Sequence, residues 1–236
     1  MRYRYDMQLH TLDTQLTHMG ELCEAAITKV TQALKDGNTE QAQVVIKEDE
    51  EIDQIEKDIE RLCLKLLLQQ QPVARDLRRI SAALKMITDM ERIGDQAADV
   101  AELTRYVEDT VAQGRLHITK MAKAAVMMVS ESVEAFVQGD LDLAHKVVAE
   151  DDTVDNLFIQ VRGELLQKLK EETGDPEAIL DLMMIAKYFE RIGDHAVNLA
   201  EWVEYSITGQ HKVMNITRIY DTIHIEVMKN DLCAGR

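Results

Sequence analysis

At 236 residues, 46% hydrophobic and 30% charged, the chain is long enough for one large domain or two of about 100 residues, and too apolar to be disordered. Its net charge of −16 argues against a nucleic-acid partner, because no basic patch exceeds Arg75–Arg79 to offset the repulsion of a polyanion. Two prolines and 4% aromatics argue against a sheet protein, which needs more β-branched, aromatic and turn residues.

The opening MRYRYDMQLH has no apolar core segment and does not read as a signal peptide. No stretch approaches 18 uncharged apolar residues, so no membrane span is expected. Cys23, Cys63 and Cys233 form no CxxC or Cys/His spacing. Cys23 and Cys63 stand among apolar neighbours and read as small core residues of a reduced, cytoplasmic protein.

The first predicted helix carries Leu9, Leu12, Leu16, Met19, Cys23, Ala26, Val30 and Leu34 at steps of three and four, an apolar seam. Asp36-Gly37-Asn38 breaks it, with Gly a natural C-cap. The second helix carries Val45, Ile52, Ile55, Ile59, Leu62 and Leu66 and stops at Gln71-Pro72. The third carries Leu77, Ile80, Leu84 and Ile87 and is expected to reach about Val111, with Gly114 as a boundary. The plan then recurs: a helix over 116–137, a break at Gly139-Asp140, a helix over 141–171, then Gly174-Asp175-Pro176. Asp175 suits an N-cap and Pro176 the first helical position. The last long helix is expected to end near Ser206.

The recurrence is an internal repeat. ERIGDQAADVAE (91–102) and ERIGDHAVNLAE (190–201) agree at eight of twelve positions. GNTEQAQVVIKEDEEID (37–53) aligns without a gap on GDLDLAHKVVAEDDTVD (139–155). The offset is 102 residues there and 99 at the later motif, a spacing too long for a solenoid and right for a duplicated domain. The expected fold is all-α: two tandem, internally duplicated antiparallel three-helix bundles over 1–113 and 114–209, with a C-terminal extension over 210–236. In that extension Ile216, Ile219, Tyr220, Ile223 and Val227 would give a short helix over about 215–229 one apolar face, docked on the bundles, a second subunit or a partner.

On a helical wheel Glu91, Asp95, Asp99 and Glu102 fall at about 0°, 40°, 80° and 20°. That is much the same face as Leu77, Ile80, Leu84 and Ile87, so a core face is expected to turn acidic halfway along the helix. Glu190, Asp194, Asn198 and Glu201 repeat the pattern below Ile179 and Met183. Crowded carboxylates in poor solvent need protons or cations. Asp49 and Asp53, and Asp151 and Asp155, add an acidic i, i+4 pair on each second helix. Together they suggest oxygen-lined pockets for hard cations such as Fe, Mn, Mg or Ca, and Zn as a further candidate. The alternative is that these acids pair with Arg92, Arg191 or nearby lysines, or are simply solvated. Gly94 and Gly193, costing about 1 kcal/mol each mid-helix, point to close helix packing or to room beside a site. His195, opposite Gln96 in the repeat, reads as a helix-surface residue.

Two copies of ERIGD-x-A-x-(D/N)-(V/L)-A-E, each after an acidic D-x-x-x-D helix, together with QQQPVARDLRRI (69–80), resemble the PhoU family of bacterial phosphate-transport regulators. The resemblance spans about residues 8–211. It implies paired three-helix bundles whose E/D-x-x-x-D motifs hold multinuclear iron or another transition metal, with Zn and Mn possible. Carried over by position, Asp49, Asp53, Glu91, Asp95 and Asp99 would form the first metal site, with Glu102 at its margin. Asp151, Asp155, Glu190, Asp194 and Asn198 would form the second, with Glu201 at its margin. Asn198 in place of Asp leaves the second site one charge poorer.

The resemblance further implies a cytoplasmic adaptor, not an enzyme. It would touch the ATPase subunit of the phosphate ABC transporter and a sensor histidine kinase, restraining phosphate-starvation genes and meeting the membrane only through partners. A homodimer is expected. One rival is a carboxylate-bridged metalloenzyme or metal store, disfavoured because no helix carries Glu-x-x-His. The other is a purely structural helical scaffold. No nucleotide-binding glycine motif and no nucleophile with its base stand out.

Overall fold

The computed structural model describes residues 2–70, 72–107, 112–173 and 175–210, with backbone alone at 2, 69–70 and 112–116. These residues form six helices and no strand: α1 (Arg2–Asp36), α2 (Thr39–Gln70), α3 (Ala74–Thr104), α4 (Ala112–Gln138), α5 (Leu141–Lys170) and α6 (Pro176–Thr208). The predicted tail helix and Cys233 lie outside the described residues.

The first two helices of each unit are joined by the same turn, built twice. Gly37 and Gly139 take φ of 64° and 69°, left-handed values that a Cβ would strain. Behind them Asn38 N–H donates to Ala33 O and Asp140 N–H to Ala135 O, both at 2.9 Å. The side chains of Asn38 and Asp140 then cap the next helix, accepting from Gln41 N and Leu143 N at 3.0 Å each. Asp175 caps α6 by accepting from Glu177 N and Ala178 N, with Pro176 at the first helical position.

The expected seams are buried: Leu12, Leu16, Met19, Cys23, Val30 and Leu34 on α1, and Val45, Ile52, Ile59 and Leu66 on α2. Each fully buried aliphatic side chain contributes about 1.5–3 kcal/mol. α1, α2 and α3 pack together, as do α4, α5 and α6, and α1 lies on α4 while α3 lies on α6. The two units therefore share one continuous core. Arg79 of α3 ties the halves: Nη2 donates to Asp13 Oδ1 of α1 at 2.6 Å, and the guanidinium lies 4.8 Å from the Phe136 ring centroid of α4. Ser132 Oγ of α4 donates to Ala196 O of α6 at 3.1 Å. Among the described residues no helix is long and apolar enough to cross a membrane.

Three expectations about segments are corrected. Helix α3 ends at Thr104, short of Val111, because the chain turns there to bury Val107. Gly114 lies in the first turn of α4 rather than at a break. The expected face is buried at Ile80 and Ile87 and partly buried at Leu84, while Leu77 at its start is 45% exposed. Beyond Ile87 the buried stripe of α3 shifts to Met90, Ile93, Ala97, Val100 and Ala101, roughly a quarter turn or more from the carboxylates. Small alanines carry the core there, so the acidic residues stand at its margin and keep partial contact with water.

Candidate functional site

The margin of the core is where α2 meets α3, and again where α5 meets α6. In the first unit Gly94 turns its bare Cα toward α2; a Cβ built on it would come within 2.6 Å of Asp49 Oδ1 and 3.0 Å of Ile52 Cδ1. The missing side chain lets the Asp49 carboxylate sit against α3. Burial pushes Asp49 up to about 6, and Asp95, Asp53, Glu91 and Asp99 add repulsion. Glu91 is also raised, by burial first and then by Asp95, with Arg92 opposing. Asp99 is raised by burial and by Glu102 and Asp95, against Arg191 and a hydrogen bond from Tyr188. The five predicted residues of the first site thus share one electrostatic neighbourhood, and Glu102 acts on it from an exposed edge.

Glu56 belongs to this neighbourhood and was missed by the sequence reading. It acts on Glu91, and its own carboxyl is raised by burial, Glu60 and Asp53. The signal was present: Asp49, Asp53 and Glu56 fall within about 60° on the α2 wheel. Cations offset part of the charge. Arg92 lies 3.3 Å from Asp95 and 3.4 Å from Glu91, and Lys57 lies 3.6 Å from Asp53. These pairs are solvent-facing and weak, so the cluster stays strongly negative. It offers hard oxygen donors, the chemistry that Mg, Mn or Fe ions take. Among the described residues no three His, Cys, Asp or Glu side chains converge at metal-holding geometry in this conformation. The carboxylates would turn inward to close on an ion.

The second unit assembles in parallel. Gly193 faces α5, where a Cβ would meet Val154 Cγ1 at 3.3 Å and Asp151 Oδ1 at 3.7 Å. Asp151 is buried. Burial pushes Asp194 up to about 7, Glu190, Asp151 and Asp155 add to it, and Lys187 opposes. Asp194 is in contact with solvent, and water screens part of this push. Glu190 is paired with Lys187 one turn earlier.

One expectation changes here. His195 is not a surface residue: its side chain is 18% exposed and Nδ1 lies 2.9 Å from Asp89 Oδ1 of α3. Asn198 turns the same way, its Nδ2 donating to Asp89 Oδ1 at 3.0 Å. Its amide nitrogen is engaged across the α3–α6 seam rather than with the acids of its own unit. Asp89 and Tyr188 hold matching places in the repeat, as do Asp99 and Asn198. The seam is therefore a pseudo-two-fold contact, with Tyr188 meeting Asp99 at one end and Asp89 meeting Asn198 at the other.

The family model for the PhoU domain matches twice, at residues 16–104 and 118–203. A phosphate-specific transport system accessory protein PhoU homolog of Clostridium acetobutylicum is 34% identical over 217 residues, covering 89% of this chain and 97% of the relative. Its namesake in Aquifex aeolicus is 38% identical over 185 residues, covering 78% and 84%. The crystal structure of PhoU from Pseudomonas aeruginosa superposes with a TM-score of 0.82 at 33% identity, over 87% of this chain and all of that one. That of the phosphate transport system regulatory protein PhoU from Streptococcus pneumoniae gives 0.83 at 25%, over 89% and 100%. The duplicated helical unit, its acidic motifs and these full-length matches agree: this chain belongs to the PhoU family.

Proposed function

We propose that this chain is a regulatory accessory protein of phosphate transport. The observation that carries the proposal is the match over nearly the full length of relatives named as phosphate-specific transport system accessory proteins. In this reading the chain works in the cytoplasm, binds the ATPase subunit of the phosphate ABC transporter, and restrains a sensor histidine kinase. Assembly as a homodimer belongs to the same reading, and light scattering on the purified chain measures it. Deleting the gene should switch phosphate-starvation genes on in phosphate-rich medium. Starvation genes that stay silent in the deletion strain would refute the regulatory role.

The first acidic cluster is proposed to hold a metal ion. Asp49, Asp53, Glu91, Asp95 and Asp99 would supply the oxygens, with Glu56 beside them and Glu102 at the rim. Iron or manganese suits the donor set best, with zinc as an alternative. Two features support this. The Gly94 notch admits the Asp49 carboxylate, and the excess of carboxylates over Arg92 and Lys57 leaves a negative charge for a cation to neutralise. Elemental analysis of the purified chain tests it, and a metal-free protein that takes up neither iron, manganese nor zinc on reconstitution would refute it.

A further inference from the structure

The two acidic sites are copies in sequence but not in charge. Where the first unit has Glu56, the second has Phe158; where the first has Asp99, the second has Asn198; and where the first has Thr88, the second has Lys187. Two of these changes remove a carboxylate and the third sets an ammonium beside Glu190; Lys57, which stands by Asp53 in the first unit, is Ile159 in the second, so the second site has fewer carboxylates and its lysine at a different acid.

The three replacements also fit one another in space. Lys187 Nζ binds the Glu190 carboxylate and stands 5.6 Å from the Phe158 ring centroid. The negative face of the ring gives the ammonium a second partner. Phe158 thus stands where a further carboxylate would be. Asn198, its amide nitrogen bonded to Asp89 at 3.0 Å, offers a cation at most one neutral oxygen. The Glu190 side chain is 14% accessible against 44% for Lys187, so the carboxylate end of the pair lies inward and the ammonium end toward solvent.

We propose that Lys187 is the built-in counter-cation of the second acidic site, so that divalent-metal binding is confined to the first site. The inference rests on the metal reading of the first cluster. A metal ion entering the second site would meet the Lys187 ammonium at Glu190 and would have to displace it, with like charges repelling at close range. At the first site Thr88 stands in place of the lysine, and the cations present, Arg92 and Lys57, hold their carboxylates at 3.3–3.6 Å from more exposed positions (55% and 59% against 44% for Lys187).

The test is titration of the full-length chain with Mn2+ and with Zn2+, followed by calorimetry at neutral pH. Wild type should bind; Glu91→Ala/Asp95→Ala should abolish binding; Glu190→Ala/Asp194→Ala should leave the affinity within about twofold, as for distant independent sites. Placed in the Glu91→Ala/Asp95→Ala background, where no binding is expected, Lys187→Met should restore a measurable binding isotherm, because one opposing charge is gone. Lys187→Arg should create none, and Lys187→Gln serves where Lys187→Met melts early. Binding that disappears in Glu190→Ala/Asp194→Ala, or no gain from either neutral replacement, overturns the proposal. If wild type binds neither ion, the metal reading of the first site fails by itself, and the Lys187 comparison still decides the role of the lysine.

Discussion

The Cβ that Gly94 lacks would stand 2.6 Å from Asp49 Oδ1, closer than any ordinary non-bonded contact between a methyl carbon and an oxygen. The matching glycine in the second unit has its nearest neighbour at 3.3 Å, on Val154. The glycines look equivalent in the repeat but carry different burdens.

Alanine at the two positions should therefore act differently. Gly→Ala inside a helix gains about 1 kcal/mol of propensity. At Gly193 a few tenths of an ångström of movement by Val154 suffices, so Gly193→Ala should be neutral or slightly stabilising. At Gly94 both Asp49 and Ile52 must shift, and overpacking of about 1–3 kcal/mol should outweigh the gain. Urea denaturation of both variants measures this; Gly94→Ala as stable as Gly193→Ala would contradict the close approach.

Stability of the metal-free chain should rise as pH falls from about 8 to 5. Asp49 and Asp194 sit at about 6 and 7 in the folded chain against 3.8 unfolded, so between those values the folded state binds more protons and the slope of stability with pH is negative. Below about pH 4 the unfolded state protonates too, and ion pairs such as Asp13–Arg79 (2.6 Å) weaken. Thermal melts across this range check the sign. A melting temperature that falls steadily from pH 8 to 5 would mean the carboxylates are solvated rather than crowded.

Asp89 should couple the units. Asp89→Ala strands the side chains of His195 and Asn198, bonded at 2.9 and 3.0 Å, at about 1–3 kcal/mol. A double-mutant cycle with His195→Ala should show a coupling energy of about 0.5 kcal/mol or more. Additive losses would mean that the contact contributes nothing.

Metal loading should raise the melting temperature, since a ligand that binds only the folded chain stabilises it by mass action. Glu91→Ala/Asp95→Ala should remove that shift for Mn2+. A shift that survives in the double variant would place the ion elsewhere.

Much of the fold was legible in the sequence because its signals are local. Steps of three and four through Leu12, Leu16 and Met19 specify a buried face, and Gly37, Gly139, Asp140 and Asp175-Pro176 mark helix ends by chemistry that needs no distant partner. The core face of α3 was harder to read, since Ala97 and Ala101 carry it and alanine is a weak hydrophobic marker. The seam of Asp89 with His195 and Asn198 was not legible at all. It joins residues over 100 positions apart, and its register depends on how two whole helices pack. The acidic motifs were visible, and Asn198 for Asp99 already marked the second as one charge poorer; the rest of the inequality was not, because Glu56 and Phe158 fall outside the D-x-x-x-D pair that drew attention.

The central claim, a regulatory accessory role in phosphate transport, is tested most directly by co-purification. The tagged full-length chain, captured from phosphate-replete cells and analysed by mass spectrometry, should bring down the ATPase subunit of the phosphate ABC transporter together with a sensor histidine kinase. Recovery of the chain in good yield with neither partner, under conditions in which both are expressed, would contradict the account.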